Sequence, residues 1–269
     1  MQSLRYDKPC VTQADPFVEA RTALAGTIFA DIRYKPETES TNADALTLLE
    51  QPERNSGVTI VTDFQTHGRG RRGREWIAAP SSGLLFTTIL PISLDASTLW
   101  SVPFWCGLAV KEALSLHRVD TALQWPNDLL LDKKKVAGIL CVSRGVGTRA
   151  WAAWGVGINV TRTGDAAYAE IEPSPAFLSD VVAVNRAELL TTILQQFAKS
   201  LRDLDNATQI ARRWQSAANL RGTPYRILID GKTQPIDAVA QRLGEQGALV
   251  VRINGEEREI AFADARVLR

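Results

Sequence analysis

Cysteine, histidine and methionine are scarce in this 269-residue chain, at three, two and one. Cys10, Cys106 and Cys141 are odd in number and widely spaced, which excludes a disulfide framework and the paired spacing of a zinc site. A reduced, cytoplasmic setting is the expectation. His67 and His117 are too few for a histidine-rich metal centre, and neither has an evident acid and nucleophile partner for triad chemistry. Charge of one sign is not in excess either. The 31 basic and 30 acidic side chains leave a net +1, which argues against broad binding to nucleic acid or to a membrane surface while leaving room for a local basic site. No apolar run approaches the roughly 18 residues that a membrane span needs. The opening MQSLRYDKPCVTQADPF lacks the apolar stretch of a signal peptide. There is no internal repeat, P-loop, dinucleotide fingerprint or Gly-x-Ser-x-Gly elbow.

What is present is a chain that is 45% hydrophobic, enough for one large core and a small second domain. After a tail, Asp15, Pro16 and Gly26 mark a short helix as N-cap, first helical residue and stop. Ser40 or Thr41 can cap a second helix whose Leu46 and Leu49 share a face, with Asp44 in capping-box position. Residues 57–64 and 83–92 read as buried strands flanking a Gly/Arg-rich loop. Residues 97–116 are helical despite Pro103, which either sits in the first turn or introduces a kink. Strand candidates at 122–131, 135–143 and 149–160 are separated by short polar turns, the pattern of antiparallel hairpins. Helices follow at 186–204, with an apolar face of Leu189, Leu190, Ile193, Leu194 and Phe197, and at 208–218. From about 222, hairpin turns at Asp230-Gly231, Gly244–Gly247 and Asn254-Gly255 punctuate short β-like runs. The expectation is an α+β main domain with a mixed, largely antiparallel sheet, and a small all-β C-terminal domain packed on it.

The richest stretch is Gln65-Thr66-His67-Gly68-Arg69-Gly70-Arg71-Arg72-Gly73-Arg74-Glu75-Trp76. Three glycines allow backbone N–H groups to converge on an anion, and four arginines within six positions supply forked donors for carboxylate or phosphate. A plain surface loop is the competing reading, but this one is short and set between two apolar strands. Trp125-Pro126-Asn127-Asp128 reads either as a turn or as a place where Asp128 helps hold a phosphate-bridging divalent cation and Asn127 bonds the phosphates. In Lys133-Lys134-Lys135 the first two belong to a solvated tip, whereas Lys135 opens the apolar run VAGIL and can reach into a site. Gly155-Val156-Gly157-Ile158-Asn159 ends a strand and by itself marks only close packing.

In their order and combination these motifs resemble those of biotin protein ligases. The resemblance covers about residues 27–269 and is carried by Glu39-Ser40-Thr41-Asn42, the Gly/Arg loop, Trp125–Asp128, Lys135-x-Ala-Gly-Ile-Leu140 and Gly155-x-Gly-x-Asn159. It implies a catalytic domain of the biotin/lipoate ligase type at 27–220, preceded by a tail and helix at 1–26, and an SH3-like β-barrel at 221–269. It further implies two half-reactions. Biotin and ATP give biotinoyl-5′-AMP and pyrophosphate with Mg2+ offsetting phosphate repulsion, and a lysine of a biotin carboxyl carrier domain then takes the biotinoyl group. No permanently bound cofactor is implied. By correspondence, Ser40, Thr41, Asn42 and Gln65 serve the ureido ring, while Gly68, Arg69, Gly70, Arg71 and Gly138 enclose biotin. Lys135 and Arg71 are the catalytic charges between biotin carboxylate and α-phosphate. Arg74, Trp76, Asn127, Asp128 and Asn159 face the nucleotide, Trp76 by stacking on adenine and Asp128 also through Mg2+. Trp125 reads as structural.

Family members often carry a lysine where this chain has Gln124, so one phosphate-binding charge is missing unless Lys133 or Lys134 compensates. About 26 residues precede the matching core, too few for a helix-turn-helix domain with its wing, so no direct DNA binding is expected. No membrane partner is expected either, and the expected assembly is a monomer or a homodimer. A lipoate or octanoate ligase, a catalytically silent biotin sensor and an RNA-binding module are the rival readings. The polar set at 40–42 and 65 favours a ureido ligand over an aliphatic one.

Overall fold

In the computed structural model, residues 14–164, 168, 171–262 and 265–268 are described. The expected tail over the first dozen residues, with Cys10, lies outside them. In chain order the elements begin with α1 (Val18–Ala23), β1 (Ile32–Thr38), α2 (Thr41–Leu48), β2 (Thr59–Gln65), β3 (Gly83–Ile89) and the two-residue β4 (Leu94–Asp95). Then come α3 (Val102–Leu116), β5 (Ala122–Gln124), β6 (Asp128–Leu131), β7 (Lys134–Val146), β8 (Arg149–Asn159), α4 (Arg186–Ser200) and α5 (Ala207–Ala217). The C-terminal strands are β9 (Pro224–Ile229), β10 (Ile236–Leu243), β11 (Leu249–Ile253), β12 (Glu256–Ile260) and β13 (Ala265–Leu268). Two sheets result. The larger runs β1-β2-β3-β8-β7-β6-β5 with β4 on β8, and only β1 and β2 pair in parallel, because α2 carries the chain back between them. The smaller, β12-β11-β10-β9-β13, is antiparallel throughout. This is the α+β arrangement that the sequence implies.

Several local expectations shift. The first helix starts at Val18 and not at Pro16, because Asp15 Oδ1 accepts the Phe17 N–H at 2.8 Å and spends Pro16 on the entering turn. Ser40 stands at the N-cap of α2 without a side-chain cap bond. Asp44 closes no capping box, since Thr38 Oγ1 at 2.8 Å and Lys35 Nζ at 2.8 Å hold its carboxylate. The buried face of α2 is Ala45 with Leu49, while Leu46 is exposed. Pro103 sits in the first turn of α3, where its missing N–H costs nothing, and no kink follows. The span 122–131 is two strands, because Trp125-Pro126-Asn127 forms the turn that folds β6 back on β5.

One sheet face carries the main core. Trp105, Trp154, Phe197 and Phe29 pack there in edge and stacked contacts beneath α1, α3 and α4. The inner residues of the C-terminal sheet, among them Tyr225, Ile227, Ala240 and Val251, join the same core. On the opposite face α2 packs with a small cluster of Ala45, Leu49, Ile60, Ile89 and Ala153, and this lighter cover leaves room for a cavity. Among the described residues no helix is long and apolar enough to cross a membrane.

A buried ion pair ties the edge of the sheet to α4. Arg186 Nη1 meets Asp63 Oδ1 at 2.6 Å, and Tyr34 donates its hydroxyl to Asp63 Oδ2 at 2.7 Å. Burial, reinforced by that carboxylate, pushes the Tyr34 phenol above its ordinary range. The Asp63 side chain is only 3% exposed, so removing its cation strands a buried negative charge. Arg186→Met is therefore expected to destabilise the fold by about 3 kcal/mol in urea unfolding. An unchanged midpoint would show that Tyr34 alone satisfies Asp63.

Candidate functional site

The site follows from strand alternation on β8. Trp154, Val156 and Ile158 point into the main core, so Gly155, Gly157 and Asn159 must face the α2 side. The missing side chains are filled by neighbours. A Cβ on Gly155 would stand 2.3 Å from Asn42 Oδ1, and one on Gly157 would stand 2.6 Å from the Trp76 indole. The glycines that read as close packing are thus the floor on which Asn42 and Trp76 rest.

Strand β7 supplies the second half of the floor through a bulge. Leu129 pairs with Ala137 but Leu130 with Lys135, so one extra residue is inserted on β7. In a regular strand, residues three apart face opposite sides. With the insertion, Lys135 and Gly138 share the cavity face while Val136 and Ala137 are both fully buried in the core. A Cβ on Gly138 would be 2.9 Å from Lys135 Nζ and 3.0 Å from the Trp76 ring. Lys135 Nζ lies 2.7 Å from Asp128 Oδ1 and 5.2 Å from the Trp76 ring centroid.

At one end, the start of α2 meets β2 and β3. Gln65 Oε1 accepts the Thr41 N–H at 2.8 Å and lies 3.1 Å from Thr41 Oγ1. Thr87 Oγ1 donates to Asn42 Oδ1 at 2.8 Å, and Asn42 Nδ2 donates to the Leu140 carbonyl at 3.1 Å. Ser40, Thr41 and Asn42 are nearly buried here, leaving a polar, water-poor end.

The Gly/Arg loop closes the other side as a small hairpin. Trp76 N–H donates to Gly68 O at 2.9 Å, and Gly70 N–H to Arg74 O at 2.7 Å. Gly68 is required for that approach, since a Cβ there would lie 2.3 Å from Trp76 O. The arginines diverge: Arg69 reaches Glu39 at 3.3 Å, Arg72 pairs with Asp230, and Arg71 turns inward. Arg71 Nη1 lies 3.5 Å from Asn127 Oδ1, and Nη2 donates to the Phe262 carbonyl. Burial pulls the Arg71 pKa down to about 10 against the opposing charge of Asp128, with Arg72 and Arg74 adding repulsion.

The expected residues converge. Ser40, Thr41, Asn42, Gln65, Arg69, Gly70, Arg71, Arg74, Trp76, Asn127, Asp128, Lys135, Gly138 and Asn159 all line one cavity of about 260 Å³, and Gly68 sits behind it at the loop's base. Gln124 is outside the wall, opposite Asp128 in the β5–β6 register. Asn127 and Asn159 also brace the frame. Asn127 Nδ2 donates to Ile139 O at 2.6 Å, and Asn159 Nδ2 to Ala176 O at 3.1 Å. That second bond holds a wall segment that no motif in the chain announces, Ile171, Glu172, Pro173 and Pro175. Trp125 is fully buried, its N–H on the Tyr225 hydroxyl at 3.2 Å and its indole N–H on Gly247 O at 3.0 Å. Cys106 and Cys141 are kept as thiols by burial, Cys141 with its pKa near 12, so neither suits nucleophilic work.

Residues 34–159 match the model of the biotin/lipoate A/B protein ligase family. A biotin–[acetyl-CoA-carboxylase] ligase of Paracoccus denitrificans is 33% identical over 80% of this chain and 91% of its own length. The chain belongs to the biotin protein ligases. A second such ligase, from Mycobacterium tuberculosis, is 27% identical over 91% of this chain and 92% of its own. The biotin protein ligase of Aquifex aeolicus, solved in complex with biotin and ATP, superposes with a TM-score of 0.72 at 25% identity, covering 90% of this chain and 100% of that one.

For this ligase the glycine floor is testable directly. Gly155→Ala forces Asn42 off Thr87 and moves the start of α2, with an expected loss of about 1–3 kcal/mol in chemical denaturation. A wild-type midpoint would mean that α2 yields without cost.

Proposed function

We propose that this ligase activates biotin with MgATP in the single cavity described and passes the biotinoyl group to a lysine of a biotin carboxyl carrier domain. The observation that carries this reading is the polarity of the cavity. Neutral hydrogen-bonding groups gather at the α2 end, and Arg71 and Lys135 converge at the other, over one continuous floor. The ligases named above, and the Aquifex complex with biotin and ATP, are in keeping with it. We assign catalysis to residues 27–220 and a supporting role to 221–269.

In this reading Ser40, Thr41, Asn42 and Gln65 hydrogen-bond the ureido ring, a choice that penalises acids lacking it. Gly68, Arg69 and Gly70 close over biotin beside Gly138. A carboxylate is a weak nucleophile and an α-phosphate repels it, so the reaction depends on alignment and fixed positive charge. Lys135 and Arg71 sit where the biotin carboxyl oxygen and the α-phosphate meet. The carboxylate oxygen bonds to the α-phosphorus, the bond to the bridging oxygen breaks, and pyrophosphate leaves. Arg74, Trp76, Asn127 and Asn159 face the nucleotide. Among the described residues no group of three or more acids, histidines or cysteines is gathered to hold a metal ion. Mg2+ would enter as part of the MgATP substrate; of the carboxylates that line the cavity, Glu75, Asp128 and Glu172, we assign Asp128, which also pairs with Lys135, to it. In the second step the carrier lysine attacks the mixed anhydride carbonyl, forming the amide and releasing AMP.

Mass spectrometry of a carrier domain incubated with the enzyme, MgATP and either biotin or lipoate tests the whole reading. A biotin adduct with pyrophosphate release is expected. Labelling by lipoate alone would assign the site to the neighbouring class, and binding of biotin without pyrophosphate release would make it a sensor. Lys135→Ala should lower adenylate formation by roughly 10²–10³ while the protein stays folded. Near-normal turnover by the purified variant would remove Lys135 from the reaction.

A further inference from the structure

Two motifs of the basic end, the Gly/Arg loop and the Trp125–Asp128 turn, meet on one side chain that neither contains. Phe262 lies between β12 and β13, more than a hundred residues from either motif. Its carbonyl accepts from Arg71 Nη2, and the Arg71 guanidinium carbon stands 4.3 Å from its ring centroid. The same ring makes edge contacts with Trp125 at 5.9 Å and with Phe104 at 5.8 Å. Arg71 in turn reaches Asn127 of the turn at 3.5 Å. Loop, turn and C-terminal sheet therefore form one closed set of contacts with Phe262 at its centre. A second tether, Arg72 on Asp230 beside the β9–β10 turn, holds the loop to the same sheet.

We propose that Phe262, whose ring packs on the Trp125–Asp128 turn, is a positioning residue for the ATP half of the reaction, holding the Arg71 guanidinium in the arrangement that receives the phosphates. The inference rests on the reading of the basic end as the nucleotide site. A flexible arginine near three other arginines has many orientations of similar energy. A π face on one side and a carbonyl acceptor at its tip leave it few, so less ordering remains when a phosphate arrives. In the proposed site Arg71 serves biotin through the carboxylate alone, whereas the ureido end is held by α2, β2 and β3, so the larger effect falls on MgATP.

The alternative is that Phe262 is only a core aromatic. Phe262→Leu keeps the apolar bulk and loses the π face, whereas Phe262→Tyr keeps the ring. For Phe262→Leu the expected result is a KM for MgATP raised about three- to tenfold, with biotin affinity by calorimetry and the unfolding midpoint near those of the native protein. Phe262→Tyr should restore the native KM. In an Arg71→Ala background, Phe262→Leu should add no further loss, because the residue it positions is gone. Equal changes for biotin and MgATP, additive losses in the double variant, or an effect shared by Phe262→Tyr would each reduce Phe262 to a packing residue. A lowered KM would overturn the proposal in the other direction, by showing that the contact restrains Arg71. Native enzyme that forms no biotinoyl-adenylate would instead refute the functional reading. Direct MgATP titration of the Phe262 variants would still decide the role of this side chain.

Discussion

The two faces of β8 set the constraint on which the rest depends. A strand that buries Trp154, Val156 and Ile158 on one side must present Gly155, Gly157 and Asn159 on the other. The large residues anchor the sheet to α3 and α4, and the small ones leave a hollow under α2. Stability and binding are thereby divided between alternate residues of the same eleven-residue strand. Over the glycines of that hollow rest Asn42, Trp76 and Lys135, so the bare floor sets how deep the side chains that line the cavity can sit.

Electrostatics are arranged around that floor with little net charge. The loop concentrates arginines, but Arg69 and Arg72 are spent on Glu39 and Asp230, which keeps the loop folded toward the sheet. Arg71 and Lys135 are left to act inward. Lys135 owes its direction to the bulge in β7, and Asp128 keeps its ammonium from leaning into empty space. The C-terminal sheet completes this arrangement from behind, with Tyr225 and Gly247 on Trp125 and Phe262 on Arg71. Gly247 has a positive φ of 77°, and a Cβ there would stand 2.5 Å from Phe104, so its position on the core is open to glycine alone.

Much of this was legible in the chain before any coordinates. The turns at Asp230-Gly231 and Asn254-Gly255 bound antiparallel strands, and the 186–204 pattern placed Leu189, Leu190, Ile193, Leu194 and Phe197 inside, where they are found. Those signals are local, carried by φ preferences of glycine and asparagine and by a 3.6-residue period. The misreadings were local competitions. Asp15 bonded a turn amide and Asp44 a lysine, in each case because a nearer partner outcompeted the helix terminus.

The sequence by itself determined the order of elements, the turns of the C-terminal sheet and the gathering of arginines and glycines in one loop. Each of these is fixed by residue type and spacing along a continuous stretch. The tertiary structure alone decided which side chains meet. The bulge that turns Lys135 onto the face of Gly138, the 171–175 wall held by Asn159, and the contact of Phe262 with Arg71 involve partners from distant parts of the chain. No local pattern records such pairings, because they arise only when a shared core has fixed one sheet against the other.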